Sequence, residues 1–262
     1  MGKSQPLDKP VHLPHGIASI AGVFFTAFIL FLLSIHYPNS TANNTHAYGI
    51  FTAVCAIYFL DHYLDFKLIF GGRNFYTQLN KILAILFVTI TTIIVLYFWR
   101  VYLLNLNYYF GAVGVLIYAL FYIVEKSPFR FVKEMTIAAT AAWVVCIKPS
   151  GALDNYSALA LSMLFFQNVL MYSFLERELD EYFGFRSSFN AVFYSSKKHT
   201  LVTVQLINLI AILIVSYFYD LPNGLTYVSI GYFLLSLCAE KQVLKKNYRF
   251  LLDALLLGVL IP

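Results

Sequence analysis

Charge is what this sequence has least of. Asp, Glu, Lys and Arg make up 12% of its 262 residues, against about a quarter in a soluble domain. Long polar stretches are missing, which excludes a sizeable extramembrane domain. A Pro/Gly/Ser-rich linker is missing too, so 1–262 reads as one domain. Cysteine is scarce: Cys55, Cys146 and Cys238 each stand alone in an apolar run. That excludes a disulfide framework and a CxxC metal site and leaves packed thiols. The turn signal Gly71-Gly72 lacks the Lys-Ser/Thr that follows a phosphate-cradling P-loop. Apolar residues do not alternate with polar ones, which excludes the strands of a membrane barrel.

What is present is apolar length. Hydrophobic residues account for 60% of the chain, and the mean hydropathy is +0.72. An α-helix needs about 20 apolar residues to cross a bilayer. The predicted spans are nine: 16–36, 47–63, 79–99, 104–124, 132–148, 157–175, 199–218, 223–240 and 249–262. The expected fold is therefore all-α, a polytopic membrane bundle. The first run is of spanning length and reads as a retained helix, not a signal peptide. Pro6 stands where a myristoylation signal needs Ser or Thr.

With nine spans, Lys and Arg fall on one side except for Arg100 and Lys148. By the positive-inside rule that side is cytoplasmic, as is the N-terminus. The net charge of +5 is then a topology signal, and no nucleic-acid partner is expected. The expected location is a bacterial inner (cell) membrane. Three glycosylation sequons, at Asn39, Asn43 and Asn155, read as chance matches.

Acids gather at two places. Span 2 ends in AIYFLDHYLDF, with Asp61 and Asp65 four residues apart. Span 6 runs into LERELDEYFGFRSS, with Glu176 and Asp180 at the same spacing. On a helix, i and i+4 share a face, and like charges there repel. A divalent cation relieves the repulsion, and Mg²⁺ takes one or two carboxylates together with water and phosphate oxygens. Arg73, Arg130, Lys133 and Arg186 follow these pairs or lie in the loop EKSPFRFVKE on the same side. Such cations suit a diphosphate leaving group.

The stretch ERELDEYFGFRSS resembles the second acidic motif of the UbiA superfamily of intramembrane prenyltransferases, D-x-E-x-D-R-x-x-G-x-x-S/T. Glu176, Glu178, Asp180, Gly184 and Ser187 occupy its positions. FLDHYLD resembles the later part of the family's first motif, N-D-x-x-D-x-x-x-D, with Asp61 and Asp65 as its last two acids. SPFRFVKE resembles the basic segment that contacts diphosphate. The sequence departs from the pattern where the family's Asn and Asp fall on Ile57 and Tyr58, and where Glu181 replaces an Arg. The resemblance implies a UbiA-like bundle of about nine helices. It implies a magnesium-dependent transferase that moves a prenyl group from a polyprenyl diphosphate, an isoprenoid donor, to an aromatic or lipid acceptor. Asp61, Asp65, Glu176 and Asp180 would hold the Mg²⁺ and be catalytic. Arg73, Arg130, Lys133 and Arg186 would bind the diphosphate.

The alternative is a transporter or lipid-diphosphate-binding protein that uses the same acids. It would place ionisable groups near the midplane, whereas these cluster at one face. Asp253 lies inside the last span, and Arg249, four residues before it, is the expected partner. His62 reads as a solvated boundary residue.

Overall fold

The computed structural model describes residues 16–37, 44–70, 72–98, 113, 130–146, 155–183 and 197–261. Within them the chain is helical throughout: α1 Gly16–His36, α2 Asn44–Phe70, α3 Phe75–Tyr97, α4 Arg130–Cys146, α5 Asn155–Phe183, α6 Lys197–Tyr219, α7 Asn223–Leu237 and α8 Gln242–Leu256. A 3₁₀ turn, Leu257–Leu260, extends the last helix. Among the described residues, four stretches are long and apolar enough to cross a membrane: 46–64, 75–97, 155–177 and 198–219. The span expected at 104–124 lies outside the described residues apart from Val113.

Several helices outrun their apolar runs. Helix α2 continues to Phe70, α5 continues to Phe183, and α8 begins at Gln242, ahead of the expected start at 249. Hydropathy marks where a chain is apolar, whereas a helix keeps its hydrogen bonds through a polar turn at its end. Both acidic pairs therefore stand on helix, as their spacing requires.

Local chemistry sets the joints. The Asn74 side chain accepts from the Tyr76 N–H at 2.9 Å and starts α3. Along α3, Thr89, Thr91 and Thr92 donate to carbonyls one turn back, so their hydroxyls are satisfied within an apolar helix. Asp220, with φ of +49°, takes the left-handed conformation that ends α6. The Leu221 N–H then reaches back to the Ser216 carbonyl at 3.2 Å.

Contacts between helix ends fix their directions. His46 at the start of α2 approaches the Val144 carbonyl near the end of α4 at 3.1 Å. Tyr156 at the start of α5 stacks on Tyr219 at the end of α6, with centroids 3.5 Å apart. The Gly224 N–H donates to the Ile261 carbonyl at 3.2 Å. A Cβ on Gly224 would lie 2.7 Å from the Val259 and Ile261 oxygens, so only glycine admits the returning 3₁₀ turn. At the opposite end Lys198 of α6 pairs with Glu240, just beyond α7, at 3.4 Å. Successive helices from α5 onward thus run in alternating directions. Helix α8 runs parallel to α1, with Phe25 against Phe250 and Thr26 against Asp253.

Helix α5 is the hub, packed on α4, α6, α7 and α8. Its Leu161, Leu164, Leu170, Met171 and Phe174 are fully buried in the main core. A smaller core joins α1, α2 and α3 through Phe24, Phe59 and Phe87, whose rings lie 5.4 to 5.8 Å apart. Edge-to-face and offset rings of this kind add to area burial.

Candidate functional site

On α5 the residues Asn168, Tyr172 and Glu176 recur every four positions and therefore form one stripe. The stripe faces α8. The Arg249 guanidinium meets Glu176 Oε1 at 2.8 Å. Tyr248 donates its hydroxyl to the same oxygen at 2.5 Å, and Arg249 Nε donates to the Tyr248 hydroxyl at 3.2 Å. One turn deeper, the Tyr172 hydroxyl donates to the Arg249 carbonyl at 2.9 Å. A further turn in, Asn168 Nδ2 donates to Asp253 Oδ1 at 3.3 Å, and Thr26 of α1 donates to Asp253 Oδ2.

Helix α2 closes the junction. The charges of Asp253, Asp61, Arg249 and Glu176 all act on the Tyr58 hydroxyl. Those of Arg249, Asp61 and Glu176 act on the His62 ring. Asp61 and Glu176, 115 positions apart in the chain, therefore act on the same two side chains. The side chains of Glu176 and Arg249 each keep about a quarter of their surface accessible (24% and 25%). Tyr58 keeps 37%. Asp253, at 2%, does not reach the surface.

Two expectations are corrected here. Arg249 does not pair with Asp253; it pairs with Glu176. Side chains on a helix lean toward its N-terminus, so Arg249 reaches away from Asp253, which lies four residues C-terminal to it. His62 is not a solvated boundary residue: its ring stacks on Phe66 at 6.0 Å and lies in the field of the junction.

The other expected site residues divide as follows. Asp61 and Glu176 both act on Tyr58 and His62, as described. Asp65 and Asp180 lie on α2 and α5 one turn nearer the helix ends, with side chains outside the described set. Arg73 stands exposed on the turn between α2 and α3. Arg130 and Lys133 occupy the first turn of α4, again with side chains outside that set, and Arg186 lies outside the described residues altogether.

Sequence reasoning missed Thr26, Tyr58, Asn168, Tyr172 and Tyr248. A signal existed for one of them. The pair Gln167-Asn168 interrupts the apolar run FFQNVL, and a polar side chain inside a span is costly unless it has a partner. Gln167 finds its partner on α6: it donates to the Gln205 carbonyl at 3.1 Å, and Gln205 donates back to the Gln167 carbonyl at 2.9 Å.

The junction sets charged and hydroxyl groups beside an apolar exterior. Both hydrogen bonds to Glu176 fall on Oε1, and Oε2 makes none among the described residues. Ile57, next to Tyr58, lines a groove between α2 and α3 together with Ala53, Ala56, Val88, Thr92 and Leu96. No family model, curated protein or solved structure matches this chain.

Proposed function

We propose that this protein is an intramembrane prenyltransferase of the UbiA type. It moves a prenyl group from a polyprenyl diphosphate to an aromatic or lipid acceptor with the help of Mg²⁺. The observation that carries the reading is that Asp61 of α2 and Glu176 of α5 both act electrostatically on Tyr58 and His62. In this reading the bundle crosses the membrane nine times, with its N-terminus and both acidic pairs on the cytoplasmic side.

Among the described residues, no three His, Cys, Asp or Glu side chains gather closely enough to hold a metal alone. Mg²⁺ fills its octahedron with water and phosphate oxygens around one or two carboxylates. Asp61 with Asp65, and Glu176 Oε2 with Asp180, would each hold one Mg²⁺ beside a shared diphosphate. When bound, Mg²⁺ neutralises charge on the departing diphosphate. Arg73, Arg130, Lys133 and Arg186 would hold that diphosphate. Arg249 and Tyr248 fix the Glu176 rotamer by occupying Oε1. The apolar groove beside Ile57 suits an isoprenoid tail, and an apolar wall limits quenching of an electron-poor allylic carbon by water.

The test is release of pyrophosphate. Purified protein incubated with polyprenyl diphosphates, a mixed set of aromatic acceptors and Mg²⁺ is expected to liberate pyrophosphate, and Asp61→Asn to abolish it. A second reading, a lipid-diphosphate-binding protein or transporter without turnover, is favoured by Arg249, which already neutralises one of the four expected metal ligands. Binding of the diphosphate with no pyrophosphate released would select it.

A further inference from the structure

Asp253 differs from the other acids of the junction. It is buried between α1, α5 and α8, and its oxygens accept from the neutral donors Thr26 and Asn168. Among the described residues no Lys, Arg or His pairs with it. The groups that face it are few. Helix α8 offers Arg249, which is held by Glu176 of α5. Helix α2 offers Tyr58, with Asp61 and His62 beyond it. Helix α7 offers Tyr232, whose hydroxyl donates to the Leu252 carbonyl at 2.7 Å. Helix α1 contributes Thr26 and no charge.

The hydroxyl beside Asp253 has more acceptors than protons. Thr26 Oγ1 lies 3.0 Å from the Gly22 carbonyl and also within reach of Asp253 Oδ2, yet a hydroxyl carries one proton. The Tyr172 hydroxyl donates to the Arg249 carbonyl at 2.9 Å, and it also acts on Asp253. If Asp253 is ionised, the Thr26 hydroxyl turns to it. If it is protonated, it donates to Thr26 Oγ1, Thr26 donates to Gly22, and Tyr172 donates to Arg249. Every group keeps a partner in both states. The protonated state also avoids a charge without a counter-ion in an apolar interior.

We propose that Asp253 is an intramembrane proton-binding site, occupied at neutral pH. One O–H bond forms on Oδ2 when the proton arrives and breaks when it leaves, and the Thr26 hydroxyl reverses its hydrogen bond in step. This site is independent of any prenyl transfer at the acidic pairs.

Infrared spectroscopy of the full chain in lipid nanodiscs tests it. The carbonyl stretch of a protonated carboxyl is expected at neutral pH, and it should give way to a carboxylate band in alkaline buffer. Asp253→Asn should delete it, whereas Asp61→Asn should leave it in place. Thr26→Val should shift its frequency, and Thr26→Ser should restore it. If Asp253→Asn does not fold, Thr26→Val decides alone, because a shifted band supports the site and an unshifted one overturns it. A neutral-pH spectrum in which Asp253→Asn removes only carboxylate absorption also overturns it.

Discussion

Helices α3 and α5 are both long and apolar, and they behave in opposite ways. In the spanning stretch of α5, 61% of residues are buried inside the bundle; in that of α3, 17% are. Helix α5 is the one that carries Gln167, Asn168, Tyr172 and Glu176. On α3 the outward face holds Ile82, Ile85, Ile93 and Leu96, each about 60% exposed, while polar Thr77 and Asn80 turn inward. Inside a bilayer the medium is as apolar as Leu, so burial of apolar area does not sort the helices. Polar side chains do, because each must find a partner within the protein. Helix α5 is central because its polar side chains have partners on α6 and α8.

That contrast can be broken at several points. The largest effect is expected from Phe174→Ala in α5, where a fully buried ring would leave a cavity. We expect a loss of about 3–5 kcal/mol in reversible denaturant unfolding in bicelles. Arg249→Met comes next. It strands Glu176 in a partly buried position, and the loss is about 3 kcal/mol, at the low end for a buried pair because a quarter of each side chain stays accessible. The double variant with Glu176→Gln should recover most of that loss, as a double-mutant cycle would show. Gln205→Leu removes one of the two hydrogen bonds joining α5 to α6 and should lower stability by about 1 kcal/mol. Ile93→Ala on the outward face of α3 should change it by less than about 0.5 kcal/mol. An Ile93 effect as large as that at Phe174 would mean that α3 is packed against another part of the chain.

Much of this fold could be read from apolar length alone. Each described helix overlaps a predicted span, because hydrophobic runs and turn residues such as Asp220 and Pro222 are local signals. The i, i+4 spacing of Asp61 with Asp65 and of Glu176 with Asp180 was also legible, since both pairs lie on helix. What could not be read was which helix meets which. Arg249 lies four residues from Asp253 in sequence but bonds to Glu176, 73 positions away. Tyr58 looked like a lost motif acid, and in space it is where Asp61, Glu176 and Asp253 act together. Helix rotation sets these meetings, and a single apolar helix with little patterning carries scant information about its own rotation.

The central claim is that the acidic ends of α2 and α5 form one site for a metal and a diphosphate together. By their spacing the acids of each pair repel, although Glu176 already has Arg249 as a partner, and a diphosphate alone would add to the repulsion. Mg²⁺ and a diphosphate should therefore bind cooperatively, each raising the other's affinity by the same factor. The most direct measurement is the melting temperature of the purified protein with a non-hydrolysable prenyl diphosphate analogue, with and without Mg²⁺. The account predicts stabilisation by mass action only when both are present, and its loss in Asp61→Asn with the ligand-free melting temperature nearly unchanged. Equal stabilisation by the analogue in excess chelator would contradict it.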